Sequence, residues 1–157
     1  MTKFQLEREQ WIGRPLDEVF AFFSDPRNLE QITPPWMRFR VTGHPESDLS
    51  SGSKIHYKLR VRGIPLRWTS LISRWEPPFA FVDEQVRGPY SSWVHTHTFA
   101  EKDGGTLVCD HVEYSVLGGR LVNSLLVRRD LERIFDFRTR SLSSALQRSG
   151  QAASSGS

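Results

Sequence analysis

Cys109 is the only cysteine in the chain, so no internal disulfide can form, and neither a cysteine metal knot nor a Cys-x-x-Cys redox pair is present. No apolar run approaches the roughly eighteen residues of a membrane helix, and the opening MTKFQLEREQW lacks the apolar stretch of a secretory signal. These absences predict a cytoplasmic protein without integral membrane association. No strand leads into the Gly-x-Gly-x-x-Gly turn of a dinucleotide fold, so nicotinamide chemistry is not expected of this chain. Repeats, linkers and a dominant charge sign are missing too: 21 Lys and Arg face 18 Asp and Glu.

What the chain has is size enough for one domain with a real core, at 157 residues, and an aromatic content of 11% with five tryptophans. Basic charge gathers in GRLVNSLLVRRDLERIFDFRTR, six arginines against three acids. Such a helix could face nucleic acid or an anionic surface, but Asp130, Glu132 and Asp136 are interleaved with the arginines. That points to a solvated face with paired charges, and no nucleic-acid partner is expected.

Residues 3–12 alternate and read as a strand. GRPLDEVFAFF then changes period, with Pro15 at a helix start and Leu16, Val19, Phe20 and Phe23 at helical spacing. A second short helix follows in SDPRNLEQI, capped by Ser24 or Asp25 and stopped by TPPW. From 38 to 116 the pattern is strand and turn, with segments near 38–43, 53–61, 66–75, 79–87, 91–101 and 105–116. After Arg120 no proline or glycine interrupts a long last helix, whose stripe Leu131, Phe135, Arg138 and Leu142 is extended backwards by Leu121, Leu125 and Arg128. The small, polar residues 148–157 read as a disordered tail beyond a single domain of 1–147. The sum is an α+β domain: about seven strands in a curved antiparallel sheet around a long C-terminal helix, with a cavity between them.

GPYSSWVHTHTF raises the functional question. Alternation puts Trp93, His95, His97 and Phe99 on one strand face. A two-residue turn at Asp103-Gly104 would set Phe99 opposite Val108, His97 opposite Asp110, His95 opposite Val112 and Trp93 opposite Tyr114. The other face, Ser92, Val94, Thr96 and Thr98 against Glu113, His111, Cys109 and Leu107, is more polar, so the histidines belong inside; a one-residue slip would reverse this. Three readings follow for His95, His97 and Asp110. They form a two-histidine, one-carboxylate ligand set, though His-x-His is short and unspecific, and no metal is expected. One histidine could be a general base oriented by Asp110, but no nucleophile motif accompanies it. The third reading, a His–Asp pair that satisfies its own hydrogen bonds while lining a cavity, is the one favoured. Trp68 and Trp75 have opposite parity on one strand, so only one is expected to face inward. Arg128 or Arg138 could snorkel or meet an anionic ligand group.

With ITPPW, RWEPPFAFVDEQVRGPYSSWVHTHTF, GGTLVCDHVEYSVLGG and LERIFDFRTR in place, the chain from about 3 to 146 resembles the SRPBCC superfamily, also called START-like, Bet v 1-like or polyketide cyclase/dehydrase proteins. It is most similar to a bacterial subgroup with F-x-D-x-Q, G-P-[YF], W-x-H-x-H-x-F and D-x-V-x-Y. Similar domains occur fused to epimerase-like sugar-nucleotide proteins. The resemblance implies the helix-grip fold, with Phe81, Asp83 and Gln85 facing inward, and binding of lipids, quinones or polyketides without a cofactor. It adds Tyr90 to the wall formed by Trp93, His95, His97, Phe99, Val108, Asp110, Val112, Tyr114, Leu131 and Phe135. A small hydrophobic molecule is the expected partner. The alternatives are a cyclase/dehydrase enzyme using a cavity histidine as base, with Tyr90, Tyr114 or Gln85 steadying an enolate, and an interaction module with an apolar patch at Trp36 and Met37.

Overall fold

The computed structural model describes residues 1–155, those after Leu146 as helix backbone only. The tail expected over 148–157 falls on these and on 156–157, which lie outside the described residues. The elements run β1 Phe4–Ile12, α1 Leu16–Ser24, two 3-10 turns Pro26–Gln31 and Pro35–Met37, β2 Arg40–Gly43, β3 Lys54–Val61, β4 Ile64–Glu76, β5 Ala80–Arg87, β6 Ser92–Lys102, β7 Gly105–Ser115, α2 Gly119–Val122, a π-helical turn Asn123–Val127 and α3 Arg128–Ser155. The expected second short helix is thus a 3-10 one, entered through Asp25, whose carboxylate accepts the Arg27 N–H. TPPW carries a further 3-10 turn beyond it.

All seven strands pair antiparallel in the order β1-β7-β6-β5-β4-β3-β2, and the long last helix lies in the curve of this open sheet, the helix-grip arrangement. The β6–β7 register is the one the Asp-Gly turn requires. Asp103 and Gly104 take φ of 49° and 76°, the left-handed pair of a type I′ turn, and His97 stands opposite Asp110. The inward face of β6 is buried at Trp93, His95, His97 and Phe99, while the outward residues between them are not.

Two local insertions change which side chains face inward. On β4 the pairing with β5 slips between Ile72 and Arg74, leaving Ser73 extra. Such a bulge inverts the alternation beyond it, so Trp68 and Trp75 both turn inward, against the expectation that only one could. Trp68 faces the cavity, and Trp75 packs on Phe20 and Phe81, at ring centroid distances of 5.2 and 5.5 Å. In the last helix the π-helical turn inserts a residue and slips the phase between α2 and α3. Leu131, Phe135 and Leu142 are buried as expected, but Val122 and Val127, not Leu121 and Leu125, continue the packed face.

The buried residues form two clusters. The larger joins α1 to β3, β4 and the far end of α3 through Phe20, Phe23, Ile72, Phe81, Phe99 and Leu142. The smaller joins β1, β6 and β7 to the near end of α3 through Leu6, Trp93, Val112, Tyr114, Leu131 and Phe135. The histidines lie between them. Of the acids in the basic helix, Asp130 pairs with Arg62, Glu132 with Arg128 and Asp136 with Arg8.

Gly105, directly after the hairpin turn, has no room for a side chain: a Cβ there would overlap the Ile12 carbonyl and come within 2.7 Å of Cζ2 of Trp11. Gly105→Ala is expected to destabilise the fold by about 2 kcal/mol, read as a lower urea midpoint at unchanged slope.

Candidate functional site

Strand alternation brings two imidazoles into one file on β6, and the adjacent strands supply a carboxylate on each side. Asp83 of β5 lies opposite His95, and Asp110 of β7 lies opposite His97. The short hydrogen bonds do not follow this register; they cross it. His95 Nε2 donates to Asp110 Oδ1 at 2.7 Å and His97 Nε2 donates to Asp83 Oδ2 at 2.6 Å. The diagonal neighbours in an antiparallel sheet are within reach of a side chain this long. The rings stack at 3.7 Å, and Phe81 stacks on the outer face of His97 at 4.0 Å.

Asp110 was expected to partner His97. It stands 3.4 Å from His97 Nδ1, a buried nitrogen that makes no hydrogen bond, and gives its short bond to His95. From α3, Arg138 brings Nη2 to 3.5 Å from Asp110 Oδ1, and its guanidinium lies 5.3 Å from the Phe23 ring centroid. Arg138 is the helical residue that completes the cluster. Arg128 is spent elsewhere, on Glu132 and the Gln5 carbonyl.

Burial, then the charge on His97, lowers the pKa of His95 to about 4 despite its bond to Asp110. For His97, burial is outweighed by the close contact of Asp110, the hydrogen bond to Asp83 and the charge of both carboxylates, and its pKa rises. Burial is likewise outweighed at Asp83 by the bond and charge of His97. At Asp110 it is outweighed by the charge of Arg138, the bond of His95 and the close approach of His97, which hold this carboxyl well below its usual range. The cluster therefore gathers two carboxylates held ionised, the Arg138 guanidinium, a His97 whose hold on its proton is strengthened and a His95 that is neutral at neutral pH. Because a carboxylate only accepts, neutral His95 carries its proton on Nε2 and its Nδ1 is a free acceptor.

A cavity of about 190 Å³ opens in front of this cluster, between the sheet and α3. Of the residues expected at the site, Phe81, Asp83, Tyr90, Trp93, His95, His97, Leu131 and Phe135 stand on its wall. Six others do not. Phe99 and Val108 are packed into the larger core cluster and Val112 into the smaller. Asp110 sits behind His95. Tyr114 is buried and donates to Asn123 Oδ1 at 2.6 Å, tying β7 to the π-helical turn. Gln85 clips its own loop: its Nε2 donates to the Tyr90 carbonyl, and its Oε1 accepts the Tyr90 N–H. A Cβ on Gly88 would overlap that amide. The Gln-x-x-Gly-Pro-Tyr run is thus a turn that presents Tyr90 to the cavity.

Sequence reasoning missed Tyr57 and Ser70 on the same wall, with Ser70 Oγ accepting from Trp68 Nε1 at 3.0 Å. Their inward parity on β3 and β4 was the available signal. As metal donors, Asp83, His95 and His97 place one ligating atom each within 4.8 Å of one another. This set differs from the expected one by Asp83 in place of Asp110. An ion held by His95 Nδ1, His97 Nε2 and Asp83 would have to displace the proton that now joins His97 to Asp83.

A family model described as polyketide cyclase / dehydrase and lipid transport matches residues 12–138. The chain belongs to this family. Its fold recurs in solved structures of low sequence identity. Protein Ms6760 of Mycobacterium smegmatis is 18% identical, with a TM-score of 0.70 and 92% of each chain covered. Major latex-like protein 151 of Panax ginseng is 17% identical, with a TM-score of 0.67 and coverage of 90% of this chain and 96% of the other. A protein from Arthrobacter aurescens is 14% identical, with a TM-score of 0.74, covering 92% of this chain and 86% of the other. These likenesses support the fold. No curated protein matches the chain by sequence. Family membership brings a fold suited to hydrophobic ligands, and no helix among the described residues is long and apolar enough to cross a membrane.

The split titration of the histidines sets an expected stability profile. Below pH 6.5 the unfolded chain takes up a proton that His95 refuses until about 4, so stability falls as pH drops through that window. Above 6.5 the folded chain keeps on His97 a proton that the unfolded chain has lost, so stability falls as pH rises toward the raised pKa. Thermal unfolding across pH should show both flanks, with the acid flank reduced in His95→Gln and the alkaline flank reduced in His97→Gln. A flat profile in the intact protein would contradict the assignment.

Proposed function

We propose that the protein binds a small, mainly apolar molecule whose one polar group is a hydroxyl, held at the Asp83–His95–His97 end of the cavity. The observation that carries this reading is the free acceptor of His95 beside the Asp83 carboxylate on a mostly apolar wall that includes Phe81, Trp93, Leu131 and Phe135, with Tyr57, Ser70, Tyr90 and Arg138 among its other polar members. Both groups accept hydrogen bonds, so they suit a donor and disfavour a second carboxylate. The volume narrows the class further. About 190 Å³ is below the range of roughly 300–1,000 Å³ typical of drug-sized ligands, which favours a single-ring phenol or a short-chain alcohol over a full lipid or sterol.

A second reading, a cyclase/dehydrase enzyme, has one observation in its favour: two adjacent histidines with pKa values pushed apart, the pattern of an acid and a base. Against it, a base with a pKa of about 4 is weak at neutral pH, and His97 commits Nε2 to Asp83 and turns Nδ1 to Asp110, leaving no lone pair aimed at a ligand. The interaction-module reading is weakened, since Met37 packs on the core and Trp36, though 49% exposed, meets Phe137 edge-on at 6.0 Å with Arg133 over its ring.

The test is a matched pair of ligands, an alcohol and a carboxylic acid on the same short aliphatic or phenyl frame, titrated by tryptophan fluorescence and native mass spectrometry. The alcohol should bind at least about tenfold more tightly, and Asp83→Asn should reduce that margin by about tenfold through one lost hydrogen bond to a charged acceptor. Equal affinity for the two, or no adduct with either, would sink the reading. A chemical change in the bound alcohol that disappears in His97→Gln while binding survives would favour the enzyme instead.

A further inference from the structure

The phase slip at the π-helical turn leaves a surface that neither the fold nor the cavity uses. Leu117, Leu121 and Leu125 are 76%, 68% and 60% exposed, and Leu126 is exposed beside them. Leu121 and Leu125 are four positions apart in the helical stretch and both face outward, and Leu117 protrudes from the turn just before it. A second apolar tip lies next to them. The β3–β4 turn projects Ile64, 63% exposed, and Arg62 at this turn makes a two-bond ion pair with Asp130, one helical turn beyond Leu126.

Antiparallel pairing gathers three connections at this end of the sheet: residues 61–64, 87–92 and 115–119. All are free of acidic residues. No Asp or Glu occurs between Asp48 and Glu76, between Glu84 and Glu101, or between Glu113 and Asp130. The nearest acids of α3 are already neutralised, Asp130 by Arg62 and Glu132 by Arg128. Exposed Arg67, Arg87, Arg120 and Arg129 form no ion pair among the described residues. The end of the molecule is therefore a group of protruding leucines and one isoleucine set in uncompensated positive charge.

We infer that this end docks on the surface of a lipid bilayer containing anionic lipid. Protruding aliphatic side chains enter the acyl boundary, and arginines distributed over separate elements meet a diffuse negative field and do not require fixed partner positions. A protein partner would need a groove or a paired edge, whereas these are single exposed side chains on turns and a helix start. A second copy of the chain would bring the same positive charge against itself. Cavity-wall residues Val61, Tyr90 and Leu131 lie at the same end, so docking would set the cavity beside the bilayer.

Flotation with vesicles tests this directly, using phosphatidylcholine alone and phosphatidylcholine mixed with phosphatidylglycerol. The intact protein should float with the mixed vesicles and not with the neutral ones, and added salt should release it. Arg120→Gln and Arg129→Gln should each weaken binding on the order of fivefold, and Leu121→Ser with Leu125→Ser should abolish it while circular dichroism and melting temperature stay unchanged. Equal binding to both vesicle types, binding unaffected by the leucine changes, or no binding at all would overturn the inference. So would light scattering that shows the leucine changes splitting a dimer that itself fails to float. Binding of the alcohol measured by native mass spectrometry is independent of this outcome, so the two proposals fail separately.

Discussion

Two carboxylates, Asp83 and Asp110, are held largely out of water on the inner face of the sheet, and a buried carboxylate left unanswered costs several kcal/mol. Most of the architecture around the cavity follows from answering them. The two histidines cross to opposite strands to reach the two acids, which forces their rings into a stack, and Phe81 closes that stack on one side. Arg138 supplies a positive charge from the helix, so the electrostatic balance of the sheet depends on where α3 lies. The helix is positioned by apolar packing at Leu131, Phe135 and Leu142 and by charge at the residue between them.

The same constraint shapes the chemistry. Stacked imidazoles in a water-poor site resist both becoming cations, because each charge raises the cost of the other, so the hold of His97 on its proton rises while that of His95 falls and leaves a neutral ring. The neutral ring is the one that keeps an open nitrogen. This asymmetry turns a structural salt-bridge cluster into a wall with a hydrogen-bond preference, and it arises from burial and crossed bonding without any group that must be strained into place.

Much of the fold was legible from the chain. The hairpin at Asp103-Gly104 set the register that faces Trp93, His95, His97 and Phe99 inward, because a two-residue turn admits one pairing. Motif residues were harder to sort. Gln85 shares β5 with the wall residues Phe81 and Asp83 and Tyr114 faces inward on β7, yet one clips a loop through Tyr90 and the other ties β7 to the helix turn through Asn123, and strand alternation encodes neither bond. Asp83 was placed inward by resemblance, but its bond to His97 depends on how β5 abuts β6, which alternation within one strand does not encode.

Period is a local property of a chain, and local properties decided the strands, the hairpin, the buried face of β6 and the stripe from Leu131 to Leu142. Departures from period are decided by what the chain packs against. The bulge at Ser73 turned Trp75 inward beside Trp68, and the π-helical turn at Asn123–Val127 turned Leu121 and Leu125 out to the surface. A single inserted residue leaves the composition unchanged but rotates every side chain on one side of it, so only the packed structure decides which residues line the cavity and which face the solvent.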